Sequence, residues 1–164
     1  MEEIYTGYCP TPIGIFGVQC TQQALVWAGF ATPLHQKRAS TEVPALLKQA
    51  LQQVAEYFTG KRRIFELPLA PEGSAFYQSV WNKLLQIPYG ETTSYGALAA
   101  SLGKPKACRA VGNANHNNPI GLIIPCHRVI GSHGSLTGYA SGLERKQWLL
   151  DWEKNYTFVR LNNT

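Results

Sequence analysis

The sequence has few cysteines, and no two of them form a Cys-x-x-Cys pair. The four are Cys9, Cys20, Cys108 and Cys126. A structural zinc site almost always shows four clear ligands, so a zinc knuckle is not expected, and Cys9 and Cys20 with His35 would still lack one. The chain is long for a disulfide scaffold and shows no export signal, which favours free thiols. We therefore expect neither a metal nor a cofactor.

Long apolar runs are also missing. No run approaches the roughly 20 residues of a membrane helix, and the acidic start Met1–Ile4 lacks the basic and apolar regions of a secretory signal. With 45% hydrophobic and 15% charged residues, the composition is that of a soluble globular protein with a core. We expect a monomer in the cytoplasm, or in the nucleus of a eukaryote, with no membrane attachment.

Acidic residues are absent from one third of the chain. Residues 92–143 contain no Asp or Glu, whereas all ten acids lie outside this range. The same range contains four Lys or Arg residues and three His residues, namely Lys104, Lys106, Arg109, Arg128, His116, His127 and His133. A surface without carboxylates does not repel phosphates, which indicates a face that binds a polyanion. A locally neutral segment rich in Gly and Ala is the alternative.

The first part of the chain is typical of a small α+β unit. Two short apolar runs, Ile13–Gln19 and Ala24–Phe30, predict strands joined by a tight turn. A helix-start signal at Ser40–Pro44 precedes apolar residues at helical spacing. Arg63–Leu67 predicts a further strand, and Leu69–Gly73 a linker. We see no obvious chemistry in this unit.

The second part is mainly helical and predicts a helix-turn-helix. Ser94 is suited to cap a helix over Tyr95–Leu102, and Gly103-Lys104-Pro105 is suited to a tight turn. A second helix is predicted from about Lys106 to Asn115. Two short helices joined in this way form a helix-turn-helix, whose second helix is the one presented to DNA.

That second helix is lined with small side chains, and Arg109 is its only large one. On a helix that faces protein, small residues would mean tight core packing. On a helix that faces DNA, they would allow close contact with the groove and leave one protruding arginine. Proteins that recognise bases in the major groove need several long polar side chains that reach the base edges. The small side chains of this helix therefore favour sequence-independent binding in the minor groove.

Cys126 is the candidate nucleophile. It follows the apolar run Ile120–Pro125 and precedes His127 and Arg128. Imidazole and guanidinium groups lower the pKa of a nearby thiol, and the thiolate is the reactive form. The alternative is a buried structural cysteine, which is the usual fate of an isolated one.

A cysteine–histidine pair needs a carboxylate that orients the histidine. In the last predicted helix, Glu153 lies about 40° from Leu149 and about 60° from Leu150, at 100° per residue. It therefore shares their apolar face, whereas Glu144 and Asp151 point to the opposite side. A buried carboxylate needs a partner, which predicts pairing with His127. The alternative is that the last turn of the helix frays and that Glu153 is exposed to solvent.

The sequence Ile124-Pro125-Cys126-His127-Arg128-Val129 resembles the active-site signature of the O6-alkylguanine-DNA alkyltransferases. The resemblance extends over residues 74–153 strongly, including 87–95, 105–112 and 117–119, and over the first 70 residues weakly. It implies a small RNase H-like α/β domain over 1–70 and a mainly helical, winged-helix-like DNA-binding domain over 71–164, an α+β fold overall. It also implies base flipping from the minor groove of double-stranded DNA.

The resemblance also implies a role for each site residue. Cys126 would accept the alkyl group irreversibly from O6-alkylguanine, and from O4-alkylthymine. His127 would act as its base through a water, Glu153 would orient His127, and Asn118 would hold the backbone. Tyr95 would assist the leaving guanine and Arg109 would fill the gap in the base stack. The predicted DNA contacts are Arg109, Tyr95, Lys104, Ala110, Arg128 and Ser132.

Two other functions remain open from the residues. A non-catalytic lesion binder of the alkyltransferase-like type would lack the acceptor cysteine, and Cys126 argues against it. A cysteine hydrolase that uses Cys126, His127 and Glu153 would turn over repeatedly and would leave the helix-turn-helix without a purpose. Among some family members the N-terminal domain binds zinc, but only Cys20 matches a ligand here. We expect no zinc.

Overall fold

Three strands form an antiparallel sheet at the start of the chain. The structure is a computed structural model that describes residues 2–32 and 37–162, with side chains as far as residue 155. The strands are β1 (Tyr5–Thr11), β2 (Gly14–Cys20) and β3 (Leu25–Phe30), in the order β1-β2-β3. The predicted strands correspond to β2 and β3, and the turn between them closes through a hydrogen bond from Thr21 N to Ala24 O.

Strand β1 was not predicted from the sequence. It contains Gly7 and Pro10, two residue types that are depleted in strands. Pro10 is tolerated because β1 lies at an edge of the sheet. A side chain in place of Gly7 would come within 2.8 Å of Leu51, so glycine here lets helix α1 (Ala45–Phe58) pack closely on the strand.

The predicted strand at Arg63–Leu67 is wrong. This segment has no strand hydrogen bonds, and its Glu66 is held by the side chain of Gln53 in α1. Gln53 accepts from the Glu66 amide at 2.9 Å and donates to its carbonyl at 3.3 Å. Two residues beyond the segment, Leu69 forms an isolated bridge to Leu25 of β3. The side-chain amide of Gln53 thus takes the place of a neighbouring strand as the hydrogen-bond partner of the Glu66 backbone.

The chain divides into two compact units. The first contains the residues up to Glu72 together with Pro119–Ile123, and the second contains Gly73–Asn118 and the chain from Ile124 onward. The first unit therefore contains two separate stretches of the chain. Ala28 of β3 donates to Pro119 O, and Gly121 donates to Ala28 O, which attaches this segment to the sheet edge.

The second unit is built mainly from four helices. They are α2 (Ala75–Leu84), α3 (Tyr95–Ser101), α4 (Cys108–His116) and α5 (Leu143–Asn162). Two short strands, β4 (Thr93–Ser94) and β5 (Val129–Ile130), pair in parallel. Ser94 accepts from the Ala97 amide at 3.0 Å and so caps α3 as predicted. Along the described parts of the chain, no helix combines the length and apolarity that a membrane span requires.

Helices α3 and α4 form the predicted helix-turn-helix. The turn contains Gly103 with a φ of 72°, which suits glycine. The inner face of α4 is anchored by Trp81 of α2, whose indole nitrogen donates to Ala114 O at 2.8 Å. Trp81 is fully buried and Ala114 has no exposed surface. This anchoring leaves the first turn of α4 exposed.

Candidate active site

Cys126 is placed by two successive three-residue turns. Ile123 N donates to Gly121 O, and Cys126 N donates to Ile124 O, each at 2.8 Å. Pro125, at the centre of the second turn, has φ −81° and ψ 66°, the values of an inverse γ-turn. Leu122, at the centre of the first, has a φ of 68°, an uncommon and strained value for a residue with a side chain. The sulfur is thus held by a tightly folded backbone.

Two asparagines hold the backbone around Cys126. Asn118 donates to Ile124 O at 2.8 Å, and Asn115 donates to Cys126 O at 3.3 Å. The predicted contact of Asn118 with the backbone leading into the site is therefore present. Asn115 belongs to the last turns of α4, so the helix-turn-helix is connected directly to the residue that carries the sulfur.

The thiol of Cys126 is buried, with 7% of the residue exposed. Burial raises the pKa of Cys126, whereas a hydrogen bond from Asn118 and the positive charge of Lys146 lower it. The surroundings therefore oppose ionisation by desolvation and support it by two specific side chains. Such a thiol depends on neighbouring groups for its reactive form.

His127 and Glu153 are in contact, as the helical position of Glu153 predicted. His127 Nε2 lies 2.7 Å from Glu153 Oε2, and the two residues are 0% and 1% exposed. Burial lowers the pKa of His127, more than Glu153 raises it, and Arg128 and Lys146 add to the lowering. A neutral His127 that donates from Nε2 keeps a lone pair on Nδ1. Among the described residues, Nδ1 has no hydrogen-bond partner.

Arg128 does not have the placement expected of a DNA contact. It is 7% exposed, and its guanidinium donates to both oxygens of Glu153 at 2.9 and 3.0 Å and to Ile87 O at 2.7 Å. It also lies over the ring of Tyr89, 5.7 Å from the centroid. The bidentate pair of Arg128 with Glu153 fixes the carboxylate that contacts His127, and a contact of Arg128 with DNA stays a prediction.

Glu153 is ionised in this arrangement. Burial alone would raise the pKa of Glu153, but the charge and hydrogen bonds of His127 and Arg128 outweigh it and hold the pKa well below its ordinary value. The amide of Gly90 donates a further hydrogen bond at 3.3 Å. One buried carboxylate is thus shared between an imidazole and a guanidinium.

Tyr95 lies at the start of α3, beside the segment 131–142. Its hydroxyl donates to Thr137 O at 3.2 Å. Its ring faces Gly112 of α4, where a side chain would lie 3.9 Å from the ring. Tyr95 is therefore held between α4 and the segment that follows the Cys126 motif.

The remaining predicted DNA contacts are all exposed. Arg109 and Ala110 lie in the first turn of α4, Lys104 lies in the turn before it, and Ser132 lies in the segment after β5. Lys104 also lies over the ring of Phe76, 5.0 Å from the centroid. Their exposure leaves them accessible to a ligand, whereas their contact with DNA stays a prediction.

Lys146 is a site residue that the sequence reasoning missed. It is fully buried, and its ammonium donates to Thr137 O at 2.7 Å. Lys146 precedes Glu153 by seven residues, which places the two about 20° apart on the helix. The argument that selected Glu153 for the apolar face of α5 therefore applied equally to Lys146.

Cys9, Cys20 and His35 were considered as ligands of a metal ion, and no metal was expected because a fourth ligand is missing. Cys9 and Cys20 lie buried in β1 and β2 as free thiols, and burial raises the pKa of both. His35 lies outside the described residues. Within the described part of the chain, no group of three or more His, Cys, Asp or Glu side chains is arranged to hold a metal ion.

Both parts of the chain match models of one protein family. Residues 4–71 match the ribonuclease-like domain of 6-O-methylguanine DNA methyltransferase, and residues 75–155 match its DNA binding domain. The methylated-DNA–protein-cysteine methyltransferase of Methanosarcina acetivorans is 44% identical over 157 residues, which are 92% of this chain and 98% of that protein. The Methanosarcina barkeri protein of the same name is 55% identical over 121 residues, 70% of this chain and 77% of that one.

Solved structures give the same result. The O6-methylguanine methyltransferase of Mycobacterium tuberculosis matches with a TM-score of 0.83 at 39% identity, over 94% of both chains. The M. tuberculosis OGT in complex with DNA matches with a TM-score of 0.82 at 40% identity, over 92% of this chain and 93% of that one. These matches confirm the predicted fold class, a small α/β domain followed by a mainly helical DNA-binding domain. The chain belongs to the 6-O-methylguanine DNA methyltransferase family.

Proposed function

We propose that this protein repairs DNA by transferring the alkyl group of O6-alkylguanine irreversibly to the sulfur of Cys126. Membership of the family supports direct reversal by alkyl transfer, and the names of its relatives describe a protein cysteine as the methyl acceptor. The observation that carries the assignment to Cys126 is its placement beside the buried His127–Glu153 pair. O4-alkylthymine presents a similar alkyl carbon and is a second proposed substrate.

In the proposed reaction, Nδ1 of His127 accepts the thiol proton of Cys126 through a water. The thiolate attacks the alkyl carbon, an S–C bond forms, the C–O bond breaks, and the electron pair passes to the purine. Tyr95 supplies a hydrogen bond or proton to the departing guanine. The product is a thioether that no group of the chain removes, so one molecule repairs one lesion.

The proposed partner is double-stranded DNA, bound in its minor groove by α4. Relatives have been solved with DNA, and the first turn of α4 is exposed and free of carboxylates. Arg109 would occupy the gap that the flipped base leaves, and Ala110 would allow close approach to the groove. Lys104 and Ser132 would contact the backbone. We further propose a monomer that acts in the cytoplasm.

Intact mass separates this function from the two alternatives. After incubation with a duplex that contains O6-methylguanine, we expect one added methyl group, located on Cys126, and no more than one lesion repaired per molecule. Bound but unmodified protein would support a lesion-binding function instead. Repeated turnover would support a hydrolase. The presence of Cys126 and the names of the relatives favour the transferase.

Replacement of Arg109 by Ala should impair repair of a paired lesion more than reaction with the free base. The arginine is proposed to act only when a base leaves the stack, which costs a few kcal/mol. We expect a rate loss of at least about tenfold on duplex O6-methylguanine, since about 1.4 kcal/mol or more of that cost is no longer offset. The rate with free O6-benzylguanine should stay within about twofold.

The matched control for Arg109→Ala is Lys106→Ala. Lys106 is an exposed cation that lies two residues before the start of α4. Its replacement should weaken binding through the loss of charge alone, and to a similar extent for damaged and undamaged duplexes. An equal loss of rate with free base and duplex in Arg109→Ala would contradict the proposed role of Arg109.

A further inference from the structure

Two side chains of the second unit donate to one backbone carbonyl, that of Thr137. The hydroxyl of Tyr95, at the start of α3, donates to Thr137 O at 3.2 Å, and the ammonium of Lys146, on α5, donates to the same atom at 2.7 Å. A carbonyl oxygen has two lone pairs and can accept from both donors. Thr137 O therefore attaches the connecting segment, residues 131–142 between β5 and α5, to two helices at a single atom.

The connecting segment is closed on itself on either side of this attachment. Backbone hydrogen bonds form one turn over 131–135 and another over 139–142, and Thr137 lies between the two turns. Gly138, the next residue, has a φ of 56°, which favours glycine. A side chain at Gly138 would lie 3.7 Å from the hydroxyl of Tyr95. The middle of the segment thus lies close to α3, and the bonds to Thr137 O hold it there.

The hydroxyl of Tyr95 has a single hydrogen to donate. It can make one well-aligned hydrogen bond as a donor, and in the free protein its acceptor is Thr137 O. In the proposed function its acceptor is the departing guanine, so the two bonds exclude each other. The ring of Tyr95 is half-buried beside Gly112 of α4, whereas the hydroxyl hydrogen can turn toward a new acceptor.

Lys146 holds the same carbonyl independently of Tyr95. No part of Lys146 is exposed, and its bond to Thr137 O is a charge-assisted one, 0.5 Å shorter than that of Tyr95. Since Lys146 belongs to α5 and Tyr95 to α3, a turn of the tyrosine hydroxyl leaves the bond of the lysine unchanged. Without either bond, the middle of the connecting segment would lose its attachment at Thr137 and gain conformational freedom, which would have to be removed again when DNA binds.

We propose that Tyr95 exchanges Thr137 O for the guanine when the flipped base enters, and that Lys146 holds the connecting segment in place during this exchange. The proposal rests on the proposed function in taking Tyr95 as the group that assists the guanine. Lys146 acts through Thr137 O and is a positioning residue. Ser132, a predicted DNA contact, belongs to the same segment, so its placement is retained as well.

A cycle of two substitutions tests the exchange through the rate of methylation. Lys146→Met removes the donor of α5 and keeps an unbranched side chain. We expect an O6-methylguanine duplex to methylate this variant at least about tenfold more slowly, because Tyr95 then has to give up the one bond that still holds Thr137 O. In the Tyr95→Phe background no exchange takes place, so Lys146→Met should change the rate by no more than about twofold.

Equal losses in the two backgrounds would overturn the proposal. A role of Lys146 in stability alone, or through its charge alone, does not depend on the hydroxyl of Tyr95 and would give this result. Lys146→Arg retains a donor and should react within a few-fold of the unmodified chain. Lys146→Leu replaces the Met variant if that variant does not fold, and thermal unfolding sets a temperature at which all variants are folded.

Arg145→Met is the matched control. Arg145 precedes Lys146 on α5, is half-buried, and donates to Ser141 O of the same connecting segment at 3.2 Å. The acceptor of Tyr95 is a different carbonyl, so any loss of rate in Arg145→Met should be equal with and without Tyr95→Phe. A loss that disappears in the Tyr95→Phe background here too would assign the coupling to general loosening of the segment and would overturn the proposal.

Nuclear magnetic resonance of the Thr137 carbonyl carbon observes the exchange directly. Loss of a donor moves this resonance to lower frequency, and Tyr95→Phe measures the size of the shift in the free protein labelled at threonine. The O6-methylguanine duplex should move the resonance in the same direction in Cys126→Ser, which binds the lesion without accepting the methyl group. An undamaged duplex of the same sequence corrects for the proximity of DNA. With Tyr95→Phe added to Cys126→Ser, the lesion should cause no such shift.

Two results of this measurement would overturn the proposal. One is a Thr137 resonance that Tyr95→Phe leaves unchanged in the free protein, and the other is a resonance that the bound lesion leaves unchanged in Cys126→Ser. Failure of O6-methylguanine to methylate the unmodified chain would refute the proposed function separately, because the shift in the free protein requires neither DNA nor repair activity.

Discussion

With Cys126 replaced by Ser, no methyl group should pass from an O6-methylguanine duplex to the protein. The change is nearly isosteric, but a hydroxyl ionises far less readily than a thiol, and its oxygen is a poorer match for a soft alkyl carbon. Since Asn118 and Asn115 also hold the backbone through Ile124 O and Cys126 O, the local fold should persist. Intact mass after incubation, together with binding to the same duplex, measures both expectations.

The matched control is Cys108→Ser. Cys108 is an exposed free thiol at the start of α4, and its replacement should leave one methyl group per molecule on Cys126. Methylation that persists in Cys126→Ser would place the acceptor elsewhere. Loss of both transfer and duplex binding in Cys126→Ser would mean that the cysteine supports the fold rather than the chemistry.

Glu153→Gln should lower both stability and transfer. The substitution leaves the buried guanidinium of Arg128 without a charged partner, and breaking a buried pair in this way costs about 3–5 kcal/mol. For a chain of this size the Tm should fall by on the order of 10 °C. The neutral amide also orients His127 less firmly, so transfer to Cys126 should slow at temperatures where the variant is still folded. Thermal unfolding and the rate of methylation measure the two effects.

The stability effect of Glu153→Gln should depend on pH with a definite sign. The folded-state pKa of Glu153 is depressed, so its contribution is fully present above the ordinary value of 4.5 and is lost as the pH falls below it toward the folded value. The pKa of His127 is also lowered in the folded chain, from 6.5. As the pH falls below 6.5, His127 of the unfolded chain is protonated before that of the folded chain, so the free energy of unfolding decreases. The Tm difference between the unmodified chain and Glu153→Gln should therefore narrow below about pH 4.5.

Asp151→Asn is the control for Glu153→Gln. Asp151 lies on the same helix, is exposed, and accepts a hydrogen bond from Gln147 at 2.9 Å. Its replacement should change stability by less than about 1 kcal/mol and should leave transfer unaffected. Equal effects of the two substitutions would show that the negative charge of α5, and not the contact with His127 and Arg128, determines the result.

The sequence predicted the acceptor motif and its carboxylate because each follows a simple pattern. Cys126 and His127 are adjacent in the chain, and the position of Glu153 on a helix follows from the helical period. Arg128 was assigned to DNA because a basic residue beside a reactive cysteine is compatible with either role. Its contacts with Glu153 and Ile87 join residues distant in sequence, so the motif alone could not predict them. Lys146 was missed because a lysine is rarely buried.

The fold was less completely predicted where tertiary contacts outweigh local preference. Strand β1 contains Gly7 and Pro10, and its pairing with β2 rather than its own composition makes it a strand. The segment 63–67 has strand-like composition, but Gln53 satisfies the backbone of Glu66 instead. The attachment of 119–123 to β3 joins residues about 90 positions apart in sequence, which no local pattern contains.

The paired γ-turns before Cys126 fix the chain in advance of any reaction. Leu122 and Pro125 hold the backbone just before the acceptor, with strain at Leu122 that the surrounding structure has to hold. A nucleophile whose backbone is already in place loses little conformational freedom when it approaches the reacting carbon. The cost of ordering this segment is therefore met when the chain folds and not when it meets a damaged base.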